Sequence, residues 1–584
     1  MHTIMEKTNY FLAIDIGGTW IKACWSKSDI IFSKENNLNE IENNYAKVKS
    51  SLHKDTTINE FIILILKVIE NLKINNKNIK GIGISTAGIV NYHGSKVLKT
   101  ASHLNVLKNE KWKETLERQF QCKAIVVNDA DAATIGLAEL NYLKGNKTIG
   151  IMPIGTGLGF TVWRNGRRWR PKKSLPLLGS IRLPNGDYNA VASASKLAIL
   201  DKNNSLLEIF TSPNFKIERE AYIKNLVRII NTAAILYNLD EVIICGGLAN
   251  AISSCNFPMG KQLNKLLENT PAELDKPVIA KIATEGNQLQ LIGALALAKG
   301  ESIAAQKRVT INYGAMETEV PYNKELHLEK MQSAEIIQTL WEAEQEAGFA
   351  LKNNLKMIAD IADRTVEKLK SGGRIIYVGA GSSGRIAAMD TVEIPCTYGF
   401  PEDRIVTLVS GGISDAAIEI ESDFEEDASA VPEMLLLNIN TNDVVIGISA
   451  SGTAYYVQSA LAFAKSRGAL SIQIQVNQPK KKIPFCDFVI PLNSGNEVVA
   501  GSTRMKAGTA TKKVLNFFSS TVMIKLGKVA GSYMVDMACI NMKLVERAQV
   551  ILKKLYHIDE EEAIQRLQNA DMNLYEAIKT LNKE

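Results

Sequence analysis

The sequence predicts an α/β protein built on several buried parallel sheets, and three observations lead there. Short apolar runs ending in glycine-rich turns recur along the chain: FLAIDIGG at 11–18, GIGIST at 81–86, AIVVND at 124–129, TIGIMPIGTG at 148–157 and EVIICGG at 241–247. The second half adds RIIYVGAG at 374–381, RIVTLVSGG at 404–412, DVVIGISASG at 443–452 and DFVIPL at 487–492. These runs are apolar at successive rather than alternate positions, as expected of strands covered on both faces. Amphipathic segments of helical period separate them, which is what crossover connections between parallel strands require. The length, 584 residues, allows about four lobes at roughly 150 residues each.

Composition narrows the classes. Hydrophobic residues at 46% and charged residues at 22% are ordinary for folded proteins and exclude a mainly disordered or fibrous chain. The excess of 68 Lys+Arg over 62 Asp+Glu is only +6, too little for a nucleic-acid footprint. Seven cysteines (Cys24, Cys122, Cys245, Cys255, Cys396, Cys486, Cys539) are scattered without a C-x-x-C pair, which argues against a disulfide framework and against a cysteine zinc site. The N-terminus lacks the pattern of a signal peptide. The longest apolar stretch, near 61–69, is interrupted by Lys67 and is too short to span a bilayer. A cytoplasmic protein with neither membrane nor nucleic-acid partners is expected. An apolar helix at 290–299 gives way to a polar stretch at 300–314, which places a domain boundary near 305. Each half has its own glycine-rich turns, so two sites and two activities are expected.

In the first half, Asp15, Gly17, Gly18 and Thr19 follow a strand. Paired glycines let backbone amides close on phosphate oxygens, and the threonine hydroxyl adds a donor. A second loop contains Gly155, Thr156, Gly157 and Gly159, and a third glycine pair, Gly246 and Gly247, closes another strand. Glycines also punctuate ordinary strand ends, but three such loops in this order resemble the ROK family of sugar kinases, in the actin-like ATPase superfamily, over residues 9–300. The resemblance implies ATP with Mg²⁺: the first two loops on phosphates, the third near adenosine. In the matching N-D-A segment Asp129 would be the general base, taking the proton from a sugar hydroxyl as it attacks the γ-phosphate. Taken locally, Asp129 also reads as a helix cap. Two family features are missing: the E-x-G-H sugar ligands correspond to 177–180, LLGS, and the cysteine-rich zinc motif is absent, so no metal site is expected beyond Mg²⁺. Either the sugar is held by other groups or phosphoryl transfer has been lost, because leucine cannot satisfy a buried hydroxyl. Asp15 leaves no room ahead of it for a helix-turn-helix, so DNA binding is not expected.

In the second half, Gly379, Gly381 and Gly384 form G-x-G-x-x-G between a strand and a helix. A dinucleotide site would need an acidic residue at the end of the next strand, but that strand ends Val-Ser-Gly-Gly. Ser382 and Ser383 in this loop, with Ser449, Ser451 and Thr453 after a later strand, suit a phosphomonoester instead; small hydroxyls also cap helices. The stretches GGRIIYVGAGSSGR at 372–385, EIPCTYG at 393–399, GSTRMKAGTATKKVLN at 501–516 and MVDMACINMKLVERA at 534–548 resemble the SIS (sugar isomerase) domains of N-acetylmuramic acid 6-phosphate etherases, from about residue 318 onward. That family removes the D-lactyl ether, leaving N-acetylglucosamine 6-phosphate and D-lactate. By this resemblance Glu393 donates a proton to the lactyl oxygen. The second carboxylate falls in the acidic cluster 421–427, at Glu426 with Glu425 as a near competitor, since the segment has two extra residues; the cluster also reads as a solvated helix face. Two carboxylates of separated pKa suffice for such chemistry, so no cofactor is expected in this half. The family's A-S-G-R-T-P-Y is ASGTAYY at 450–456 here, and Thr453 cannot replace an arginine's bidentate grip on an anion.

The expected architecture is a two-lobed actin-like ATPase (ribonuclease H-like) domain over 1–305, a SIS-type doubly wound α/β domain with a parallel sheet over 306–550, and a small helical tail over 551–584. The expected function is an etherase of cell-wall amino-sugar salvage fused to a sugar kinase, working as a homodimer. The alternative is a non-catalytic sugar-phosphate binder, like glucokinase regulatory protein, controlling the attached kinase; a SIS isomerase is disfavoured by the residues around Glu393.

Overall fold

Two five-stranded sheets in the N-terminal half repeat one topology. The computed structural model describes residues 9–27, 41, 43–74, 78–90, 96–145, 147–169, 178, 182–183, 186–198, 205–269, 274, 276–286, 288–306, 316–323, 325–411, 429–477, 483–536, 539 and 542–581. The first sheet contains β1 (Tyr10–Ile16), β2 (Trp20–Lys27), β3 (Tyr45–Lys49), β4 (Ile79–Thr86) and β5 (Ala124–Asn128), ordered β3-β2-β1-β4-β5. Strands β1, β2 and β3 pair antiparallel, while β1, β4 and β5 run parallel. The second has β6 (Ile149–Pro153), β7 (Thr161–Arg164), β8 (Arg167–Trp169), β9 (Glu241–Cys245) and β10 (Ile279–Ile282), ordered β8-β7-β6-β9-β10 with the same polarity. As the unbroken apolar runs require, every residue of β6 and β9 is buried.

Helices complete the layers. α1 (Ile58–Glu70) starts at a Thr57–Glu60 capping box and buries Phe61, Ile65 and Val68, the box being worth about 1 kcal/mol. α2 (Asp129–Glu139) follows β5 directly. α3 (Gln288–Gln306) extends beyond the 290–299 predicted from apolarity, because its polar C-terminal turns are still helical. A Cβ on Gly83 of β4 would lie 1.7 Å from the Ala294 carbonyl oxygen of α3, so helix and strand meet backbone to backbone through small residues.

In the second half, α4 (Ser333–Phe349) and α5 (Leu355–Lys370) precede a fully parallel sheet of β11 (Ile375–Gly379), β12 (Ile405–Val409), β13 (Val444–Ile448), β14 (Leu470–Gln475) and β15 (Phe488–Pro491). Its order is β12-β11-β13-β14-β15, the doubly wound pattern predicted. A buried bidentate pair joins the starts of β11 and β13: Arg374 donates to Asp443 from Nε at 3.0 Å and from Nη2 at 2.7 Å. Helices α6 (Gly381–Tyr398), α7 (Tyr455–Ser466) and α8 (Lys506–Lys525) follow. The last three helices, α9 (Met542–Tyr556), α10 (Glu560–Asn569) and α11 (Leu574–Leu581), share a small separate core of Ala548, Ile551, Leu567 and Leu574, together with Val535.

The chain divides into two compact units: Met1–Gln306 with Val431–Asn438, and Lys307–Ala430 with Ile439–Glu584. Among the described residues no helix is long and apolar enough to cross a membrane.

Candidate functional sites

The first candidate site lies in the N-terminal unit, where equivalent hairpins of its two sheets meet. The β1–β2 turn carries Gly17, Gly18 and Thr19, and the segment between β6 and β7 carries Gly155, Thr156 and Gly157. The Thr19 and Thr156 hydroxyls are 3.1 Å apart and both residues are exposed, so the two predicted phosphate loops present their donors side by side. The second loop is braced by Asn189, whose Oδ1 accepts from the Leu158 amide at 2.7 Å. The third loop adjoins it because β9 pairs with β6, Cys245 opposite Pro153. Gly246 has φ +84, and a Cβ there would lie 2.9 Å from the Ile154 carbonyl oxygen, so only glycine fits this turn.

Two carboxylates stand at the ends of β1 and β5. Asp15 is buried, pairs with Lys22 Nζ at 3.1 Å and accepts from Ser85 Oγ at 2.9 Å. Asp129 begins α2 but does not cap it. Asn128 is the cap, accepting from the Ala130 amide at 2.9 Å while its own amide donates to the Gly88 carbonyl at 2.7 Å. Desolvation first, and then the nearby Asp15 charge, push the Asp129 carboxyl up to about 7, suited to a proton acceptor near neutral pH. Sequence reading missed two supports. Asp131, in the first turn of α2, forms a buried ion pair with Arg168 of β8, and His103 Nε2 lies 2.9 Å from where a Cβ on Gly18 would stand. Of the segment 177–180 only Leu178 is among the described residues, buried in the core of the second lobe.

The second candidate site lies at the C-terminal edge of the parallel sheet. Gly379 of β11 is opposite Ile448 of β13, and the sheet order reverses between these strands, the switch point at which such folds bind ligands. Ser382 and Ser383 open α6, whose N-cap is Ala380, so their hydroxyls are not spent on capping. A Cβ on Gly379 would come within 2.6 Å of the Gly384 nitrogen, so the glycine pattern serves close strand-to-helix packing. Beside this loop, Ser449, Ser451 and Thr453 form a hydroxyl chain with Oγ separations of 3.3 and 2.7 Å. Five predicted phosphate ligands thus leave adjacent strand ends. Glu393 does not join them. It lies ten residues beyond Ser383 on α6, about 15 Å along the axis at 1.5 Å per residue. Glu425 and Glu426 lie outside the described residues.

Comparison with known proteins places both halves. The ROK family model matches residues 11–175, and that of the glucokinase regulatory protein N-terminal SIS domain matches residues 357–465. The N-acetylmuramic acid 6-phosphate etherase of Geobacillus thermodenitrificans is 38% identical over 261 residues, 45% of this chain and 88% of that protein. That of Caldanaerobacter subterraneus is 41% identical over 228 residues, 39% of this chain and 74% of that protein. The chain belongs to the N-acetylmuramic acid 6-phosphate etherase family. It also carries a ROK domain at its N-terminus, as the sequence reading expected. Among solved structures, a ROK family glucokinase from Streptomyces griseus is 18% identical, covering 50% of this chain and 99% of that one at a TM-score of 0.38.

The etherase half contains further buried polar groups that motif reading passed over. Glu497, fully buried, accepts from the amides of Lys506 and Ala507 at 3.1 and 2.9 Å, and so caps α8 from a distance in sequence. Asp390, three residues before Glu393, is buried against Tyr377, Ser519 and Lys512. Its signal was available: an acid one helical turn before a predicted catalytic acid shares that acid's face. Only its partners required the fold.

Proposed function

We propose that the protein cleaves N-acetylmuramic acid 6-phosphate to N-acetylglucosamine 6-phosphate and D-lactate, consuming one water, and that its ROK domain is an ATP-dependent amino-sugar kinase. The observation that carries the etherase reading is the pairing of β11 with β13, which sets the hydroxyl loops side by side in a chain of etherase lineage. The Ser382, Ser383, Ser449, Ser451 and Thr453 donors hold the 6-phosphate. The opened sugar loses the proton next to its aldehyde to one carboxylate, Glu426 or Glu425. Glu393 protonates the departing lactyl oxygen, and water then adds to the unsaturated aldehyde. Two carboxylates acting in turn need no cofactor for these steps.

The roughly 15 Å between Glu393 and the hydroxyl loops of its own chain supports a homodimer in which a second copy brings its Glu393 to the site. In the kinase half the first two loops and Thr19 would take ATP phosphates, and Asp129 would accept the sugar proton. Mg²⁺ needs only one or two carboxylates besides phosphate oxygens and water, a demand that Asp15 fits, leaving Asp129 to act as the base; when bound, it supplies neutralisation of phosphate charge. We place the protein in the cytoplasm, in peptidoglycan amino-sugar recycling. The domain limits proposed are near 305 and, for the helical end, 551, although the core that Ile551 shares with Ala548 and Val535 favours an earlier start for that end.

Incubation with N-acetylmuramic acid 6-phosphate and an assay of D-lactate tests the etherase. Lactate from wild type and none from Glu393→Ala supports it. Tight binding without lactate overturns it in favour of a sugar-phosphate sensor.

A further inference from the structure

Glu393 is the proposed proton donor, yet its side chain is 59% exposed, and among the described residues its carboxylate meets Lys512 Nζ of α8 at 3.2 Å. An exposed glutamate turns about three torsions, and a proton donor must stay within hydrogen-bond reach of its target. The same ammonium lies 3.9 Å from Asp390, one turn earlier on α6. Asp390 is only 2% exposed and is fixed from two sides. The Tyr377 hydroxyl of β11 donates to one oxygen at 2.9 Å, and the Ser519 hydroxyl of α8 donates to the other at 3.2 Å. Burial pushes the Asp390 carboxyl up, while Tyr377, Lys512 and Ser519 pull it down. A buried carboxylate with this many donors is costly to keep for an ordinary surface ion pair, which contributes little to stability.

We propose that Lys512 is a positioning residue for Glu393: Asp390, pinned by Tyr377 and Ser519, anchors the ammonium, and the ammonium holds the exposed carboxylate in one rotamer. The inference rests on the etherase reading and adds to it the residue that aims the donor. The chain of contacts runs from β11 of the sheet through α6 to α8, so the carboxylate is referenced to the core of its own subunit.

The test uses full-length wild type, Lys512→Met, Lys512→Arg and Asp390→Asn, each assayed for D-lactate from N-acetylmuramic acid 6-phosphate with thermal unfolding in parallel. Lys512→Met is expected to lose roughly 10- to 100-fold in kcat with KM within about twofold, as a misplaced donor would. Lys512→Arg, which keeps a cation in reach, recovers most of that loss, and Asp390→Asn falls between the two. A lysine with a merely structural role would instead lower the melting temperature and give no selective rescue by arginine. Wild-type kcat in both Lys512→Met and Asp390→Asn overturns the positioning role and leaves the etherase reading standing. Wild type that releases no lactate overturns both.

Discussion

Asp129 starts a helix whose N-cap is its neighbour Asn128, and its carboxyl is buried there. Asn128 accepts from the Ala130 amide and donates to the Gly88 carbonyl, and Asp129 Oδ1 shares that amide at 2.9 Å. With its carboxyl raised to about 7 by burial and by Asp15, ATP turnover on an accepted sugar is expected to rise with pH through about 7, as the base ionises, and to vanish in Asp129→Asn. The sign for stability is opposite. The folded state holds this proton more tightly than the unfolded chain, whose ordinary value is 3.8. The contribution to stability is therefore complete below about 4 and is lost as pH rises through about 7. Urea unfolding at pH 5 and pH 8 checks this: the decrease in stability at the higher pH should be smaller in Asp129→Asn than in wild type. An unchanged difference would mean that the carboxyl titrates normally.

At the scale of an element, the strand–loop–helix unit β11–α6 depends on how closely its ends approach. Gly379 and Gly384 touch through backbone, and a methyl group on Gly379 would press against backbone atoms, the Gly384 nitrogen and Cα at 2.6 and 2.7 Å and the Ser383 carbonyl carbon at 3.0 Å. Backbone cannot yield as a flexible side chain can, so Gly379→Ala should cost about 1–3 kcal/mol and displace Ser382 and Ser383. Denaturant unfolding reads the first effect, and weakened binding of a sugar 6-phosphate reads the second. The glycine pattern alone could not distinguish a dinucleotide loop from this one. The identity of the next strand's end and the hydroxyls of the neighbouring loop made that distinction, and both were visible in the sequence.

At the scale of the whole molecule, the residues that carry the two candidate sites, Asp15 and Asp129 in one half and Glu393 and Ser449 in the other, fall in different compact units, although Val431–Asn438 of the second half group with the first unit. The two activities should therefore separate by mutation. Asp129→Asn is expected to abolish ATP consumption while leaving lactate release intact, and Glu393→Ala to do the reverse; a coupled lactate and ADP assay on both variants checks it. Loss of both activities from either single change would show that the halves act as one catalytic device.

The sequence by itself determined the α/β class, the order of the strands' glycine turns and both family resemblances, because buried parallel strands and phosphate loops impose local patterns that need no partner to be legible. It also singled out Asp129, Glu393 and the five hydroxyls, each marked by a motif. Tertiary structure alone decided what meets what: the duplicated sheet order of the first unit, the Thr19–Thr156 approach, the β11–β13 pairing that sets Ser383 near Ser449, and the network from Tyr377 through Asp390 and Lys512 to Glu393. These contacts join residues 13 to 137 positions apart, and no local periodicity records them. They follow from strand register and helix packing, which are set only when the whole core closes.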